Sequence, residues 1–251
     1  MSGHSKWATT KHQKAAKDKN RGKLFAKLIR QIEVAAREGG GDMSANASLR
    51  TMVDKARDAS VPLDTIERAV KRGTGELEGV SYESVSYEGY APNGVAVIAE
   101  CLTDNRNRTT SEVKNIFTRS GGSLAEPGAV AWQFQRKGVI IVDKTTGVDE
   151  DDLMMAALEA GAEDVADQGD AWQVTTGPSD LIAVKGTLEA AGVAMASADL
   201  TMLATTAVPL ESEADARKVL RVVDALEEHD DVQNVYSNFD IPDEIFAAVT
   251  S

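Results

Sequence analysis

Apolar residues recur at helical spacing through the first third of the chain and largely at a period of two beyond it. Leu24, Leu28 and Ile32 fall every four residues, with Phe25, Ile29 and Ala36 beside them, which predicts a helix over 23–38. Lys23, Lys27 and Arg30 form a cationic stripe on another face of that helix, and Gly39-Gly40-Gly41 ends it. Leu49, Met52, Val53 and Ala56 predict a second helix over 47–59. Pro62 opens a third as a first-turn proline, with Leu63, Ile66 and Val70 as its apolar stripe. Lys71 and Arg72 suit the negative end of its dipole, and Gly73 is expected to cap it.

After a hinge at 73–76 the pattern changes to strands. Residues 82–90 and 94–103 read as a hairpin around Ala91-Pro92-Asn93-Gly94. Val95–Ala99 is apolar on both faces, as in a central strand. A polar loop at 104–108 leads into a helix ending near Arg119. Val130, Trp132 and Phe134 alternate with Ala131, Gln133 and Gln135, which predicts a half-buried strand. From 138 the order is strand 139–142, helix 151–160, strands 163–167 and 171–175, a helix from Pro178 to Gly192, and strand 196–204. That βαββαβ order is the split-βαβ, ferredoxin-like pattern. A helix at 212–227 and a strand at 232–238 have no place in a completed unit of this kind, so they are expected to return to the sheet of 82–135.

The fold class is therefore α+β. A basic arm and helical domain occupies 1–80. An α+β domain is built from 81–137 and 206–251, and a ferredoxin-like domain, 138–205, is inserted into it.

Charge sharpens this division. Residues 1–30 carry nine Lys or Arg against the single acid Asp18, within a chain of net charge −13. By segment the net charge is +6 over 1–80, zero over 81–138 and −19 over 139–251. Up to Gly22 large apolar residues are nearly absent, so this stretch buries no core of its own. A cationic arm that carries Trp7 and His12 is the footprint of a phosphate-backbone binder, and a polyanion would meet the first eighty residues. The acidic end would be repelled from nucleic acid and is free to meet a protein partner. Only Trp172 offers an aromatic in 138–205, which is net −11, so this unit matches an RNA-recognition motif in topology alone. No run approaches the roughly 18 apolar residues of a membrane span. One cysteine, Cys101, and a start without an apolar secretory core make the cytoplasm the expected compartment.

Catalytic chemistry is not indicated. The chain has no G-x-x-x-x-G-K-[ST] and no G-x-S-x-G. His4 and His12 lack neighbouring thiols for zinc. Cys101 sits in an apolar strand and reads as an inert core thiol. Asp149-Glu150-Asp151-Asp152 reads as a helix start before it reads as a metal cluster. No enzyme activity, cofactor or metal is expected. Arg106 and Arg108, with Asn105 and Asn107 at a helix N-terminus, are a phosphate-holding candidate or a structural turn.

The runs Gly3-His4-Ser5-Lys6-Trp7, Lys11-His12, Lys14-Ala15-Ala16 and Arg21-Gly22-Lys23 resemble the YebC family. So do Gly39-Gly40-Gly41-Asp42, Lys71-Arg72-Gly73-Thr74-Gly75-Glu76, Tyr87-Glu88-Gly89-Tyr90 and Cys101-Leu102-Thr103-Asp104-Asn105-Arg106-Asn107-Arg108-Thr109. The likeness spans essentially the whole chain. It departs at Thr9-Thr10, where Asn-Ile is usual, and at Asn93, where Gly is common. The resemblance implies three domains, no enzyme activity and nucleic-acid binding. The nucleic acid is DNA in the older reading, and in the newer one ribosomal RNA with relief of stalling at proline-rich stretches.

Two functions follow from these observations. In the first, the protein binds ribosomal RNA on the ribosome and assists translation. The binding residues are then Lys6, Trp7, Lys11, His12, Lys14, Lys17, Lys19, Arg21, Lys23, Lys27 and Arg30, with Lys71, Arg72, Arg106 and Arg108 beyond the arm. In the second, helices 47–59 and 62–72 act as a helix-turn-helix on duplex DNA. Asp64 and Glu67 on the second of these would meet phosphate repulsion. An adaptor that binds only protein would leave the cationic arm unexplained.

Overall fold

The computed structural model describes residues 21–250 of the 251-residue chain. These fall into two compact units, one of residues 21–129 and 217–235, the other of 130–216 and 236–250.

The first unit opens with three helices: α1 (Arg21–Gly39), α2 (Ala47–Asp58) and α3 (Leu63–Thr74). Leu28, Ile32, Ala36, Leu49, Val53, Ala56, Ile66 and Ala69 form their shared core. Asn46 fastens the first turn of this bundle. Its Oδ1 accepts from Leu49 N at 3.0 Å, and its Nδ2 donates to Ala35 O and Gly40 O, each at 2.8 Å. One buried amide thus caps α2 and satisfies two carbonyls at the end of α1. The expected apolar stripe of α3 needs one correction, because Leu63 is 55% exposed while Ile66 and Ala69 are buried. The expected cap at Gly73 also moves. Gly73 is the last buried residue of α3, where a Cβ would come within 2.5 Å of Glu33 O and 2.6 Å of Ala36 Cβ. Gly75, at φ +82°, is the left-handed cap. The glycine at 73 serves close helix packing, which local spacing does not distinguish from capping.

Strands β1 (Glu83–Tyr90) and β2 (Ala96–Thr103) pair antiparallel from Glu83↔Thr103 to Tyr90↔Ala96. Asn93 (φ 64°) and Gly94 (φ 75°) make the turn between them. Helix α4 (Arg106–Arg119) follows, capped by Asn105 Oδ1 on Arg108 N at 3.1 Å. A short strand β3 (Ser123–Leu124) pairs with β1.

The second unit begins differently from expectation. Residues 131–133 form a 3-10 turn, and β4 (Phe134–Asp143) runs on as one strand through the positions read as two. Trp132 is 72% exposed, so the alternation at 130–135 does not mark a buried strand face. Then come α5 (Glu150–Glu159), β5 (Ala162–Asp167), β6 (Ala171–Thr176), α6 (Leu181–Ala190) and β7 (Ser197–Ala204). The sheet order is β5-β6-β4-β7 and every pairing is antiparallel, which is the ferredoxin-like arrangement. Ile140, Val142, Leu153, Trp172, Val174, Val184 and Leu188 form its core. Asp149 Oδ1 caps α5 through Asp151 N at 3.0 Å. The acidic run is thus the helix start it reads as.

After β8 (Val208–Pro209), helix α7 (Glu213–Glu227) and strand β9 (Val232–Ser237) complete the first unit's sheet, whose order is β3-β1-β2-β9. Val219, Leu220, Val222, Val223 and Leu226 of α7 are buried. β10 (Phe239–Asp240) pairs parallel with β8. A last helix, α8 (Asp243–Thr250), follows.

Candidate nucleic-acid interface

Seven of the residues read as nucleic-acid contacts, Lys6, Trp7, Lys11, His12, Lys14, Lys17 and Lys19, lie outside the described residues. The other eight are placed as follows.

Arg21 is exposed at the start of α1, with its guanidinium 5.3 Å from the Phe25 ring centroid. The cationic stripe along the rest of α1 faces the C-terminal end of α7. Lys27 Nζ donates to Glu227 O and Lys23 Nζ to Glu228 O, each at 2.9 Å. Arg30 NH1 donates to Asp230 O at 2.6 Å. The last carbonyls of a helix have no intrahelical partners and carry the negative end of its dipole. Of the three cations at positions i, i+4 and i+7 of α1, Lys27 therefore takes the last carbonyl of α7, and Lys23 and Arg30 hold the residues just beyond it.

The stripe converges on Asp231, which is 3% exposed. Its Oδ1 accepts from Arg30 NH1 at 2.9 Å. Its Oδ2 accepts from Arg108 NH2 at 2.8 Å and Thr109 Oγ1 at 2.7 Å. Its carbonyl accepts from Leu102 N at 2.9 Å, which ties β2 to the same point. Burial alone would raise the Asp231 pKa, but hydrogen bonds from Arg108 and Thr109 and the two guanidinium charges hold it below the usual carboxylate value. Asp231 is the counterpart that raises the Arg108 pKa, and Asp104, 2.8 Å away, adds to it. Of the strand-to-helix pair, Arg108 is engaged within the fold, and Arg106 is exposed. At Arg108 the loop has a structural role in the fold.

Asp231, His229 and Glu112 offer ligand atoms within 4.8 Å of one another. Their hydrogen bonds already account for them. His229 Nδ1 accepts from Asp231 N at 3.1 Å, which leaves Nε2–H to meet Glu112 Oε2 at 2.9 Å. Both Asp231 oxygens face arginines. The group is a closed polar network, not a cation site.

On the three-helix unit, Arg72 Nε donates to buried Glu33 Oε1 at 2.6 Å, and Lys71 is exposed. On α3, Arg68 lies 3.8 Å from Asp64. In the ferredoxin-like unit, Lys137 pairs with Glu163 and Lys144 with Asp167, each at 2.6 Å. Trp172 is buried with Lys144 Nζ 4.0 Å from its ring centroid, so it provides no open stacking face. Burial pushes the Cys101 thiol up to about 12, which makes it the inert core thiol its strand implies. No described helix is long and apolar enough to cross a membrane.

These features define a multidomain α+β protein: a three-helix N-terminal domain followed by domains built on antiparallel sheets. The chain belongs to the TACO1/YebC family. Residues 5–76 match the family's N-terminal domain and 82–239 its second and third domains. A probable transcriptional regulatory protein of Thermobifida fusca is 58% identical over 251 residues, covering all of both chains. One from Mycobacterium sp. (strain KMS) is 57% identical and covers 98% of each. The crystal structure of a conserved hypothetical protein from Aquifex aeolicus superposes with a TM-score of 0.82 at 49% identity, covering 91% of this chain and 93% of that one.

The Asp231 network was not legible as a site. A basic stripe on one helix face was visible, but its partner lies 201 positions away in sequence. The one available signal was that three cations share a face with spacing 4 and 3, which suits a fixed docking line as well as a phosphate track.

Proposed function

We propose that this protein is a non-enzymatic nucleic-acid-binding regulator of gene expression that binds ribosomal RNA and activates translation. The observation that carries this reading is the charge partition, net +6 over residues 1–80 against −19 over 139–251. Lys6 to Lys19, with Trp7 and His12 among them, follow the phosphates, and Arg21, Lys71 and Arg106 extend the surface from exposed positions. Lys23, Lys27, Arg30, Arg72 and Arg108 also have partners within the fold, so they shape the platform that carries the arm as well as adding to its positive charge. The ribosome is the partner, the acidic second unit faces protein, and the cytoplasm is the compartment. Passage through proline-rich stretches rests on the family resemblance alone.

The alternative is a transcriptional regulator on duplex DNA, which the names of the Thermobifida and Mycobacterium relatives favour. Against it, α3 as a recognition helix would present Asp64, Glu67 and an Arg68 already beside Asp64. Co-sedimentation with ribosomes, in competition with duplex DNA of random sequence, tests the choice. Ribosome binding that survives excess duplex supports the translational role. Release by duplex, together with preference for one promoter sequence, overturns it.

A further inference from the structure

In the first unit a cleft of about 330 Å³ lies between α1 and the segment joining α3 to β1, lined among others by Ile29, Arg30, Glu33, Arg72, Val80 and Tyr82. That volume is at the lower end for small-ligand sites and suits one flat heterocycle. Glu33 is 5% exposed. Its Oε1 is taken by Arg72, while its Oε2 has no hydrogen-bond partner among the described residues yet is not sealed from solvent. A carboxylate oxygen that lines a cleft with no partner in the fold is open to a ligand donor. The Arg30 guanidinium lies over the Tyr82 ring at 5.5 Å, held there by its bonds to Asp230 O and Asp231. Arg72 engages Glu33 through Nε and NH2, which leaves NH1 for a ligand. The outer wall is fixed, because Arg37 donates to Ser81 Oγ at 2.9 Å and Val80 O at 3.0 Å.

The free carboxylate oxygen would repel a phosphate, so the cleft is not another backbone contact. It combines a stacking platform, arginine donors and two carboxylate acceptors, Glu33 and Glu78. Guanine offers two adjacent acceptors, O6 and N7, and an exocyclic amine donor, and arginine is its commonest partner. We infer that the cleft receives an unstacked guanine of a single-stranded nucleic acid. Glu33 accepts from the amine, Arg72 NH1 donates to O6 or N7, and the Tyr82–Arg30 pair stacks on the base. This inference rests on the nucleic-acid reading above and adds a base preference to it.

The test is fluorescence anisotropy of the full-length chain with short labelled oligouridines that carry one central guanine, inosine or adenine. Inosine lacks only the amine. The wild type is expected to bind the guanine strand about tenfold tighter than the inosine strand. Glu33→Gln, whose carbonyl turns to Arg72 and whose NH2 then faces the cleft, should abolish that ratio. Tyr82→Leu should weaken all three strands about tenfold through lost stacking. The wild-type ratio needs no variant to fold. Equal wild-type affinity for all three strands overturns the guanine site and leaves the nucleic-acid reading standing. A guanine preference that survives in folded Glu33→Gln also overturns it. Failure to bind any strand overturns both.

Discussion

Arg30 NH1 and Asp231 Oδ1 meet at 2.9 Å, although 201 positions of sequence separate them. Their contact, with Arg108 on the other carboxylate oxygen, joins the first helix, the first turn of α4 and the segment between α7 and β9 at one point. Removing the carboxylate would leave Arg30 without its acid partner and Arg108 with Asp104 at the surface in place of a buried one. Asp231→Ala should therefore cost about 3 kcal/mol, read as a shift in the urea midpoint. Loss of less than about 1 kcal/mol would mean that the network is incidental to stability.

The same carboxylate sets an acid limit. Its folded pKa lies below the ordinary value of 3.8, so its contribution is present above that value and is lost as pH falls through the lower folded one. Stability should decline as pH drops below about 4, with a component that Asp231→Asn removes. Parallel acid-melting curves for wild type and variant would count against this account.

Asn46 is a second point of convergence, with one amide on three backbone groups. Asn46→Ala strips a helix cap, the donor to the buried Ala35 carbonyl and the donor to the part-buried Gly40 carbonyl together. The expected loss is about 2 kcal/mol, against about 1 for an ordinary cap. Thermal unfolding of the variant measures it, and an unchanged Tm would deny the amide this role.

Gly73 gives a test with a reversed sign. In an ordinary helix interior Gly→Ala stabilises by roughly 1 kcal/mol. Here the added Cβ would meet Glu33 O at 2.5 Å, so α1 and α3 must part. Gly73→Ala should destabilise by about 2 kcal/mol. Gly75→Ala, at the left-handed cap, should also destabilise, through backbone strain alone.

How legible these features were depends on the range of the interaction. Helices α1, α2 and α4, the β1–β2 hairpin and the βαββαβ order follow from local period and turn residues, and the structure contains them. Leu63 misled because periodicity marks a face without saying where the neighbouring helix stops covering it. Gly73 misled because a packing glycine and a capping glycine look alike one turn apart. At 130–135 three alternating apolar residues imitated a strand that begins only at Phe134. The role of Lys23, Lys27 and Arg30 was hidden because their acceptors are backbone carbonyls, which every residue carries. The buried Asp231 sits in an acidic end segment where a solvated carboxylate is the default reading.

The proposed function requires that the leading lysines grip polyphosphate. The most direct measurement is the dependence of binding on salt, for wild type and for a variant with Lys6, Lys11, Lys14, Lys17 and Lys19 all changed to Ala. The slope of log affinity against log salt should fall by about 0.7–0.9 for each lysine that contacts a phosphate, and affinity at low salt should collapse. An unchanged slope with undiminished affinity in the folded variant would contradict the account.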